Sequence, residues 1–336
     1  MNVTYKIVDQ SFDGQRLDRW FKYYFPRINH NLLEKLIRKG QIRVDKKRIK
    51  SSTKVYLGQS IRIPPLEVFN DNSNNLLNKN LIKYENKVNL NLNLNLNILY
   101  KDEDYLVFNK PYGLPVQGGT NIDNNLDDIL SHYKFDYTQK PKLIHRLDKE
   151  TTGVLVIART ITAARHFSNL LRKREIKKLY WSLVNGVPKK QIGSITEKLY
   201  KYNITKDNKK FKENDKGLDA ISLYRNIYSI KGFSWMALMP ESGRKHQLRI
   251  HCAQLGFPII GDTKYANKLA KPLNINFPNK LHLFARSIEF KSIKDKRVFV
   301  QAPIPDHIKK SFKFLDIKID EFDGDDTLSL EGIYKV

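Results

Sequence analysis

Residues 145–153 read HRLDKETTG, and the next five, 154–158, are all apolar. Such a run of valine, leucine, isoleucine and alanine predicts a buried core strand, because it contains no polar side chain that would face water. Asp148 therefore lies at the entrance of that strand, with Arg146 and Lys149 close to it. Neighbouring cations favour an ionised carboxylate, which can serve as a nucleophile, a base, a metal ligand or half of a structural ion pair. This segment alone leaves those roles open.

The chain carries a large excess of positive charge. Its 336 residues include 60 lysines and arginines against 35 aspartates and glutamates, a formal net charge of +25. An excess of this size predicts a polyanionic partner, which nucleic acid or an anionic membrane surface would provide, and nucleic acid is favoured. The alternative is a highly charged soluble protein whose lysines only maintain solubility.

Cysteine content and hydropathy restrict the cellular setting. Cys252 is the only cysteine, which excludes an intrachain disulfide and a zinc site of the CxxC type and favours a reducing compartment. The first residues lack the apolar segment of a signal peptide, and no stretch approaches the ~18 continuous apolar residues of a membrane helix. We therefore expect a cytoplasmic protein with no membrane partner.

Composition divides the chain into four segments. Residues 1–65 predict two helices followed by short strands, the second helix ending near Gly40. Residues 66–97 are asparagine-rich and predict an interdomain linker, 98–314 predict a larger mixed domain, and 315–336 an acidic tail. In the larger domain strands outnumber helices and do not alternate with them strictly, which predicts an α+β fold with a mixed, largely antiparallel sheet.

A second polar cluster lies in residues 240–262, PESGRKHQLRIHCAQLGFPIIGD. Gly243 and Gly256 predict the two ends of a helix of about three turns. The hydrogen-bond donors within it are Arg244, Lys245, His246, Gln247, Arg249 and His251. Its predicted buried stripe consists of Leu248, Cys252 and Leu255. Donors at a helix N-terminus suit phosphate, and the alternative is a solvated basic face packed on the core.

The segment 172–186, RKREIKKLYWSLVNG, joins a basic run to a predicted strand that carries Tyr180. This tyrosine fits two roles, a core side chain or an aromatic ring that stacks on an unpaired base, and the sequence favours neither.

Patterns of cofactor and metal sites are missing. The histidines lack the spacing of a catalytic zinc site and HExxH does not occur, so we expect no metal. The dinucleotide-binding, P-loop and nucleophile-elbow glycine patterns do not occur either, which argues against a nucleotide cofactor and a serine hydrolase.

Together these motifs resemble the RluA-type pseudouridine synthases, and most of all their RluC-like subgroup. HRLDKETTGVLVIAR is similar to their central motif, KKLYWSLVNG to their tyrosine motif and SGRKHQLRIHCAQLGFPIIGDTKY to their C-terminal motif. YLVFNKPYGLPVQGG and LHLFARSIEF are similar to their opening strand and a late strand. The motifs occur in the family's order between residues 98 and 303.

The resemblance implies an isomerase that converts uridine in RNA into pseudouridine. The resemblance to the RluC-like subgroup implies that this RNA is large-subunit ribosomal RNA. The base is cut from C1′, rotated and rejoined through C5, with no cofactor and no metal. By position, Asp148 matches the catalytic aspartate, which either attacks C1′ or removes a proton from C2′. Arg249 matches its ion-pair partner, and Tyr180 matches the active-site tyrosine. Arg146 matches an arginine that enters the RNA stack when the target base flips out.

Other expected contacts with RNA lie in the same motifs and in the first domain. QRLDRWF and INHNLLEKLIRKGQIRVDKKRIK resemble the S4 RNA-binding domain that many of these enzymes carry. Besides Arg146, the expected RNA-binding residues are His145, Arg244, His246, Gln247, Arg16, Arg19, Arg38, Lys39 and Arg43. We expect the protein to be a monomer.

Two other functions fit the same composition. A non-catalytic RNA-binding or ribosome-assembly protein would use the same basic surface and form no product. A nucleoside hydrolase or glycosylase would release free uracil, whereas an isomerase keeps the base attached to the RNA.

Overall fold

The computed structural model describes residues 3–25, 28, 30–65, 96–118, 125–199, 218–266 and 277–319. They form two compact units. The first contains the described residues up to 65 and the second contains those from 96 onward.

Both ends of the larger domain continue slightly beyond the predicted limits. At the predicted linker's end, Leu96 is buried and Asn97 begins a strand. At the start of the predicted acidic tail, Leu315 and Ile317 are buried in a core cluster. The other residues of the linker, and those of the tail from 320 onward, lie outside the described residues.

The first unit pairs short strands with two amphipathic helices. Its elements are β1 (Thr4–Ile7), a 3-10 turn (Gln10–Phe12), β2 (Gln15–Arg16), α1 (Leu17–Tyr24), α2 (His30–Arg38), β3 (Arg43–Val44), β4 (Lys54–Val55) and β5 (Ser60–Ile63). Strands β1, β5 and β3 form one antiparallel sheet, and β2 pairs with β4. Apolar residues at helical spacing form the core, which includes Leu17, Trp20, Phe21, Leu33, Leu36 and Ile37. The two predicted helices are confirmed.

The second unit is built around one large sheet. Its elements are β6 (Asn97–Lys101), β7 (Tyr105–Lys110), α3 (Leu126–Ile129), a 3-10 turn (Leu130–Tyr133), β8 (Lys142–Leu143), β9 (Thr152–Ala158), α4 (Ile161–Lys173), β10 (Lys177–Asn185), β11 (Ile192–Leu199), β12 (Leu218–Ile230), β13 (Phe233–Pro240), α5 (Gln247–Gln254), β14 (Leu283–Lys291), β15 (Arg297–Gln301) and α6 (Asp306–Phe314). The ten strands follow the order β11-β12-β13-β10-β14-β9-β7-β6, with β15 beside β14 and β8 beside β9.

Strand directions confirm the predicted α+β class. Among the described residues, β9 and β14 pair in parallel. The other strand pairs of this sheet are antiparallel. The sheet is therefore mixed and largely antiparallel, as strands that do not alternate strictly with helices predict.

Strand β9 is the buried strand that its apolar composition predicts, and every one of its residues is buried. Helix α4 adds Ala163, Phe167 and Leu170 to the same core cluster. Because a shift of one residue would exchange the two faces of the strand, this packing fixes the register of β9. It thereby fixes the place where the preceding HRLD loop ends.

Gly153 lies where β9 meets β14, opposite Ala285. Its φ is +102°, and a Cβ at this position would overlap the carbonyl group of Ala285. We expect Gly153→Ala to lower the free energy of unfolding by more than about 3 kcal/mol, because backbone strain and steric overlap add. Urea denaturation measures the loss.

The matched control for this prediction is Gly232→Ala. Gly232 has a similar φ of +83°, but no heavy atom lies within 4 Å of an added Cβ. The free energy of unfolding of this control should fall by only about 1–2 kcal/mol, the cost of placing alanine in the left-handed backbone region. Equal losses in the two variants would contradict the steric argument at Gly153.

Candidate active site

A cavity of about 410 Å³ in the second unit is lined mainly by residues from three separate stretches of the sequence. The first is segment 144–148 with Thr151, the second is Lys178 with Tyr180 of β10, and the third is segment 242–249. Leu171, Pro240 and Leu283 complete the lining. This volume is within the range of ligand pockets, about 300–1,000 Å³. The central, tyrosine and C-terminal motifs therefore converge on one site.

Asp148 faces this cavity from the loop that precedes β9. Its main-chain carbonyl oxygen accepts a 3.1 Å hydrogen bond from the N–H of Thr151. The carbonyl oxygen of Lys149 accepts hydrogen bonds from the N–H of Gly113 at 2.9 Å and from Nζ of Lys110 at 3.1 Å. The loop is therefore held by main-chain hydrogen bonds at the carboxylate residue and at the residue after it.

Lys110, the last residue of β7, is a buried cation under this loop and is 1% exposed. Its Nζ donates to the carbonyl oxygens of Pro111, Leu114 and Lys149 at 2.8, 2.9 and 3.1 Å. Burial lowers the pKa of Lys110 to about 7, and the Asp148 carboxylate acts in the opposite direction. The predicted site omitted Lys110, although the NKPYG motif that contains it pointed to this turn.

His246 lies beside the Asp148 carboxylate, with Nε2 3.6 Å from Oδ1. Its Nδ1 is 2.7 Å from the hydroxyl oxygen of Tyr265. Burial lowers the pKa of His246, while Asp148 opposes this effect and Arg249 with other cations strengthens it. The structure thus brings a residue predicted to contact RNA to the carboxylate itself, together with Tyr265, which the sequence did not single out.

Arg249 does not form the ion pair predicted for it. Its Nε and Nη2 donate to the two carboxylate oxygens of Asp262 at 2.8 and 2.7 Å, and Nη1 donates to Glu150 Oε2 at 3.0 Å. Within the described residues, the basic side chain within ion-pair distance of the Asp148 carboxylate is His246, which would form an ion pair only when protonated. The planar guanidinium matches a buried carboxylate at two points, and Asp262, which is 2% exposed, provides that match.

Arg249 still acts on Asp148 through its charge and lines the same cavity. Burial disfavours the charged guanidinium, but hydrogen bonds to Asp262 and the charges of Asp262, Glu150 and Asp148 outweigh burial and raise the pKa of Arg249. The expected catalytic partner is therefore a fixed cation close to Asp148, held by two other carboxylates.

Gln247 is 4% exposed, and its amide is used inside the protein. Its Oε1 accepts from Ser242 Oγ at 2.7 Å and from the N–H of Arg244 at 3.1 Å. Its Nε2 donates to the carbonyl oxygen of Ile221 and to Oγ of Ser222, both at 2.9 Å. Two donors and two acceptor positions are all that a glutamine amide has. The predicted RNA contact of Gln247 is corrected to a structural role, which is to shape the turn before α5.

The helix of the C-terminal motif is shorter than predicted. It spans Gln247–Gln254 and not the whole interval between Gly243 and Gly256. The reason is His246, whose φ of 56° ends the helical conformation on the N-terminal side. Leu248 and Cys252 are buried as predicted, but Leu255 lies beyond the helix and is 39% exposed.

His145 makes a core contact. Its Nε2 accepts a 2.9 Å hydrogen bond from the N–H of Val156, and its ring stacks on Phe167 with 5.6 Å between centroids. Burial lowers the pKa of His145 to about 3, with a smaller effect from the charge of Lys178. The neutral imidazole thus holds the HRLD loop against β9, and its predicted contact with RNA stays a prediction.

Tyr180 reaches the cavity from β10, where the pairing with β14 shifts register between Leu179 and Tyr180. A bulge of this kind re-aims a side chain. Burial and the charge of Asp148 raise the pKa of Tyr180, so its hydroxyl stays protonated. Lys178, two residues earlier, also lines the cavity, and burial lowers its pKa. The sequence did not single out Lys178, although it belongs to the tyrosine motif.

Arg146 and Arg244 are exposed cations of the cavity lining. Nη1 of Arg146 donates to Oε1 of Gln117 at 3.4 Å, and Nε of Arg244 donates to the carbonyl oxygen of Asp219 at 3.2 Å. A guanidinium has five N–H donors, so these contacts leave donors for a phosphate. Their contacts with RNA stay predictions.

The remaining predicted RNA contacts belong to the first unit. Of these, Arg19, Arg38 and Lys39 are exposed. Arg16 is also exposed and forms an ion pair with Asp18. Arg43 is half-buried, and its Nε donates to the carbonyl oxygen of Gly40 at 3.1 Å, which supports the turn after α2.

Comparison with known proteins decides the family. Residues 104–254 match the RNA pseudouridylate synthase family. "Ribosomal large subunit pseudouridine synthase C" of Buchnera aphidicola subsp. Baizongia pistaciae is 34% identical over 317 residues, 93% of this chain and 95% of that protein. "RNA pseudouridine synthase 4, mitochondrial" of Arabidopsis thaliana is 31% identical over 91% of this chain and 80% of that protein. This chain belongs to the RNA pseudouridine synthase family.

A solved structure agrees with this membership. "Human RNA Pseudouridylate Synthase Domain Containing 4" matches the pseudouridine synthase described here with a TM-score of 0.55 and 29% identity, over 66% of this chain and 93% of that one. The resemblance to RluA-type synthases is confirmed, and the protein is an isomerase that acts on uridine in RNA.

The cavity of this pseudouridine synthase brings together groups suited to proton transfer. It contains one carboxylate, Asp148, beside the imidazole of His246 and the protonated phenol of Tyr180.

No helix in the described residues is long and apolar enough to cross a membrane. Within the same residues, no group of three or more His, Cys, Asp or Glu side chains is arranged to hold a metal ion.

Proposed function

We propose that this enzyme converts specific uridines of large-subunit ribosomal RNA into pseudouridine, with Asp148 as its catalytic carboxylate. The proposal rests on one observation: Asp148, Tyr180 and segment 242–249 line one cavity. Support for the substrate comes from relatives named ribosomal large subunit pseudouridine synthase C, among them the Buchnera protein at 34% identity. The net charge of +25 also suits a polyanionic substrate.

In the proposed reaction, Asp148 either attacks C1′ of the target nucleotide or removes a proton from C2′. The uracil then rotates and rejoins the ribose through C5. The aromatic ring of Tyr180 stacks on the uracil. Its hydroxyl stays protonated, because burial and the charge of Asp148 raise the pKa of Tyr180. Arg249 supplies a fixed positive charge close to the carboxylate. Because substrate and product are isomers, the reaction consumes no oxidant, reductant or water, and we propose that it needs no metal and no cofactor.

The cations of the cavity bind the RNA around the target. A base within a stem or folded loop must leave its stack before C1′ is accessible, which costs a few kcal/mol. Arg146 enters the vacated place in the stack, and Arg244 binds phosphate, since both are exposed. That the enzyme is a monomer and that it acts in the cytoplasm both stay predictions from the sequence.

Tritium release from RNA labelled at C5 of uridine tests the proposed function. The substrate is protein-free large-subunit ribosomal RNA, and small-subunit ribosomal RNA labelled in the same way is its control. We expect release of tritium and formation of pseudouridine with the large-subunit RNA alone. Free uracil in place of pseudouridine would indicate a glycosylase, and salt-sensitive binding without any product would indicate a non-catalytic RNA-binding protein.

For the first unit we propose an S4-like RNA-binding role, which the exposed cations of α1 and of the end of α2 support. The variant Arg19→Gln/Arg38→Gln/Lys39→Gln is expected to weaken RNA binding. If each side chain contacts one phosphate, the negative slope of the logarithm of the RNA-binding constant against the logarithm of the salt concentration becomes shallower by about 2–3. The control Lys309→Gln/Lys310→Gln/Lys313→Gln removes equal charge from α6 and should keep the wild-type slope. Equal slopes in both triple variants would contradict the role of the first unit.

A further inference from the structure

We propose that His246 is the general base that removes the proton from C5 of the uracil after the base has rejoined the ribose. This inference rests on the proposed function, because it takes Asp148 as the carboxylate at C1′. It gives His246 a catalytic role in place of the RNA contact that its sequence motif predicted.

Pseudouridine formation requires that a proton leave C5. When the detached uracil anion bonds to C1′ through C5, that carbon carries both the ribose and its original hydrogen, and N1 and C6 share a double bond. The base takes the proton, and the electrons of the C–H bond form the C5–C6 double bond. The π electrons between C6 and N1 move to N1, which takes a proton from water. The base then releases its proton to water, so no further reactant is needed.

The position of His246 fits this step. Its Nε2 lies 3.6 Å from Oδ1 of Asp148, which is too long for a hydrogen bond and leaves Nε2 for a substrate atom. In the proposed reaction the carboxylate contacts C1′ or the adjacent C2′, and C5 is bonded to C1′ after rejoining. The C5 proton is therefore produced beside the imidazole, in the cavity that both side chains line.

The other groups of the cavity lining are less suited to this proton transfer. Nε2 of His145 already accepts the N–H of Val156. Tyr180 stays protonated, because burial and the charge of Asp148 raise its pKa. Among the described residues of the lining, His246 is then the neutral imidazole whose nitrogen faces the reacting atoms.

The surroundings keep His246 in the form that accepts a proton. Burial lowers the pKa of His246 and the carboxylate of Asp148 opposes this effect. The cations that lower it further are Arg249, Lys264 and Lys245. The hydroxyl of Tyr265 lies 2.7 Å from Nδ1, so an Nδ1–H that donates to it leaves the lone pair on Nε2. The imidazolium formed after proton transfer is then paired with Asp148.

The main chain also holds the ring at this place. His246 has a φ of 56°, in the left-handed region that side chains other than asparagine, aspartate and histidine rarely adopt. Conformations of this kind persist where the surrounding contacts over-determine them. The residue directly precedes α5, and the N-terminus of a helix disfavours a protonated imidazole.

The test is single-turnover isomerisation of large-subunit ribosomal RNA that carries protium or deuterium at C5 of its uridines. His246→Asn removes the imidazole, and asparagine tolerates the left-handed φ. We expect its rate to fall roughly 10²-fold, the contribution typical of a general base. We also expect a primary isotope effect larger than that of the wild type, because loss of the C5 proton becomes rate-limiting. A slower variant without the larger isotope effect would overturn the proposal, and so would an unchanged rate.

Further variants separate this role from a structural one. His132→Asn removes an exposed imidazole outside the cavity lining and should match the wild type in rate and isotope effect. Lys178→Met removes a buried lysine amine of the lining, and an enlarged isotope effect in this variant alone would overturn the proposal. Tyr265→Phe keeps the imidazole of His246 but loses the hydroxyl beside Nδ1. We therefore expect its isotope effect to increase less than that of His246→Asn. If His246→Asn does not fold, Tyr265→Phe carries the test.

The pH profile gives a second readout, and the wild type separates the two proposals. The wild-type rate should fall as the pH drops through the pKa of His246, and this limb should vanish in His246→Asn. If the wild type forms no pseudouridine, or Asp148→Asn stays active, the proposed function fails. If the wild type is active, Asp148→Asn is inactive and His246→Asn behaves like the wild type, the proposed function stands and His246 is not the base.

Discussion

Asp148→Asn is expected to lower single-turnover formation of pseudouridine by on the order of 10⁴-fold or more, because an amide neither attacks C1′ nor removes a proton from C2′. RNA affinity should stay near that of the wild type, since phosphate contacts come from cations elsewhere. The substitution preserves shape, and the hydrogen bond from the N–H of Thr151 goes to the main-chain oxygen of residue 148. Rates are measured with enzyme in excess over RNA, and affinities by filter binding at several salt concentrations.

Glu150→Gln is the matched control, because it removes a second carboxylate from the same loop. The side chain of Glu150 is 39% exposed and accepts one hydrogen bond, from Nη1 of Arg249 at 3.0 Å. A half-exposed ion pair contributes little, about 1 kcal/mol or less, so turnover should change by no more than roughly tenfold. If Glu150→Gln loses activity and Asp148→Asn keeps it, the wrong carboxylate has been taken as catalytic.

The predictable parts of the structure are those whose signal is local. Strand β9 was predictable because its five apolar residues, 154–158, leave it no solvent face, and α4 because its apolar residues repeat at helical spacing. The α+β class followed from strands that do not alternate with helices, and the strand pairing in the described residues confirms it. The convergence of distant motifs on one cavity was implied by the family resemblance and not by any local pattern.

The partners of polar side chains were not predictable, because they depend on tertiary distances. Arg249 could pair with Asp148 or with Asp262, and both carboxylates lie in motifs of the resemblance. The loop after α5 brings Asp262 to two guanidinium nitrogens, and that geometry exists only in the folded sheet. Gln247 illustrates the same limit, since its amide is occupied by groups of β12, far away in the sequence.

The basic motifs consequently divide into two classes that composition alone does not distinguish. Arg249 and Lys110 are buried cations whose donors are used by the protein itself. Arg146 and Arg244 are exposed and keep donors for a ligand. Both classes contribute equally to the net charge. Only the burial and the hydrogen-bond partners of a side chain distinguish a cation that forms the cavity from one that is free to bind RNA.

Arg249→Met is the second substitution for which we expect a large effect, on stability and on turnover. Asp262 is 2% exposed, and its carboxylate also accepts the N–H groups of Lys264 and Tyr265. Burial alone would raise the pKa of Asp262, but Arg249 and these N–H groups outweigh burial and lower it. Removal of the guanidinium leaves a buried charge with main-chain donors alone, so we expect the free energy of unfolding to fall by about 3–5 kcal/mol.

The pH dependence of this loss has a definite sign. In the wild type the pKa of Asp262 is lowered on folding, so its contribution to stability is present above the unfolded pKa and disappears as the pH falls through the folded value. In Arg249→Met the buried carboxylate lacks its cation and takes up a proton more readily. The gap in stability between wild type and variant should therefore be widest at neutral pH and narrow in acid. Urea denaturation at several pH values measures it, and a gap that is independent of pH would contradict the buried-charge argument.

The double variant Arg249→Met/Asp262→Asn separates stability from catalysis. Replacing both partners of a buried pair is often close to neutral, and an asparagine oxygen can still accept the N–H groups of Lys264 and Tyr265. We therefore expect the double variant to regain most of the stability that Arg249→Met loses. Its turnover should stay low, by about 10²-fold or more, because the fixed positive charge close to Asp148 is still missing. Recovery of both properties would mean that Arg249 serves the fold alone.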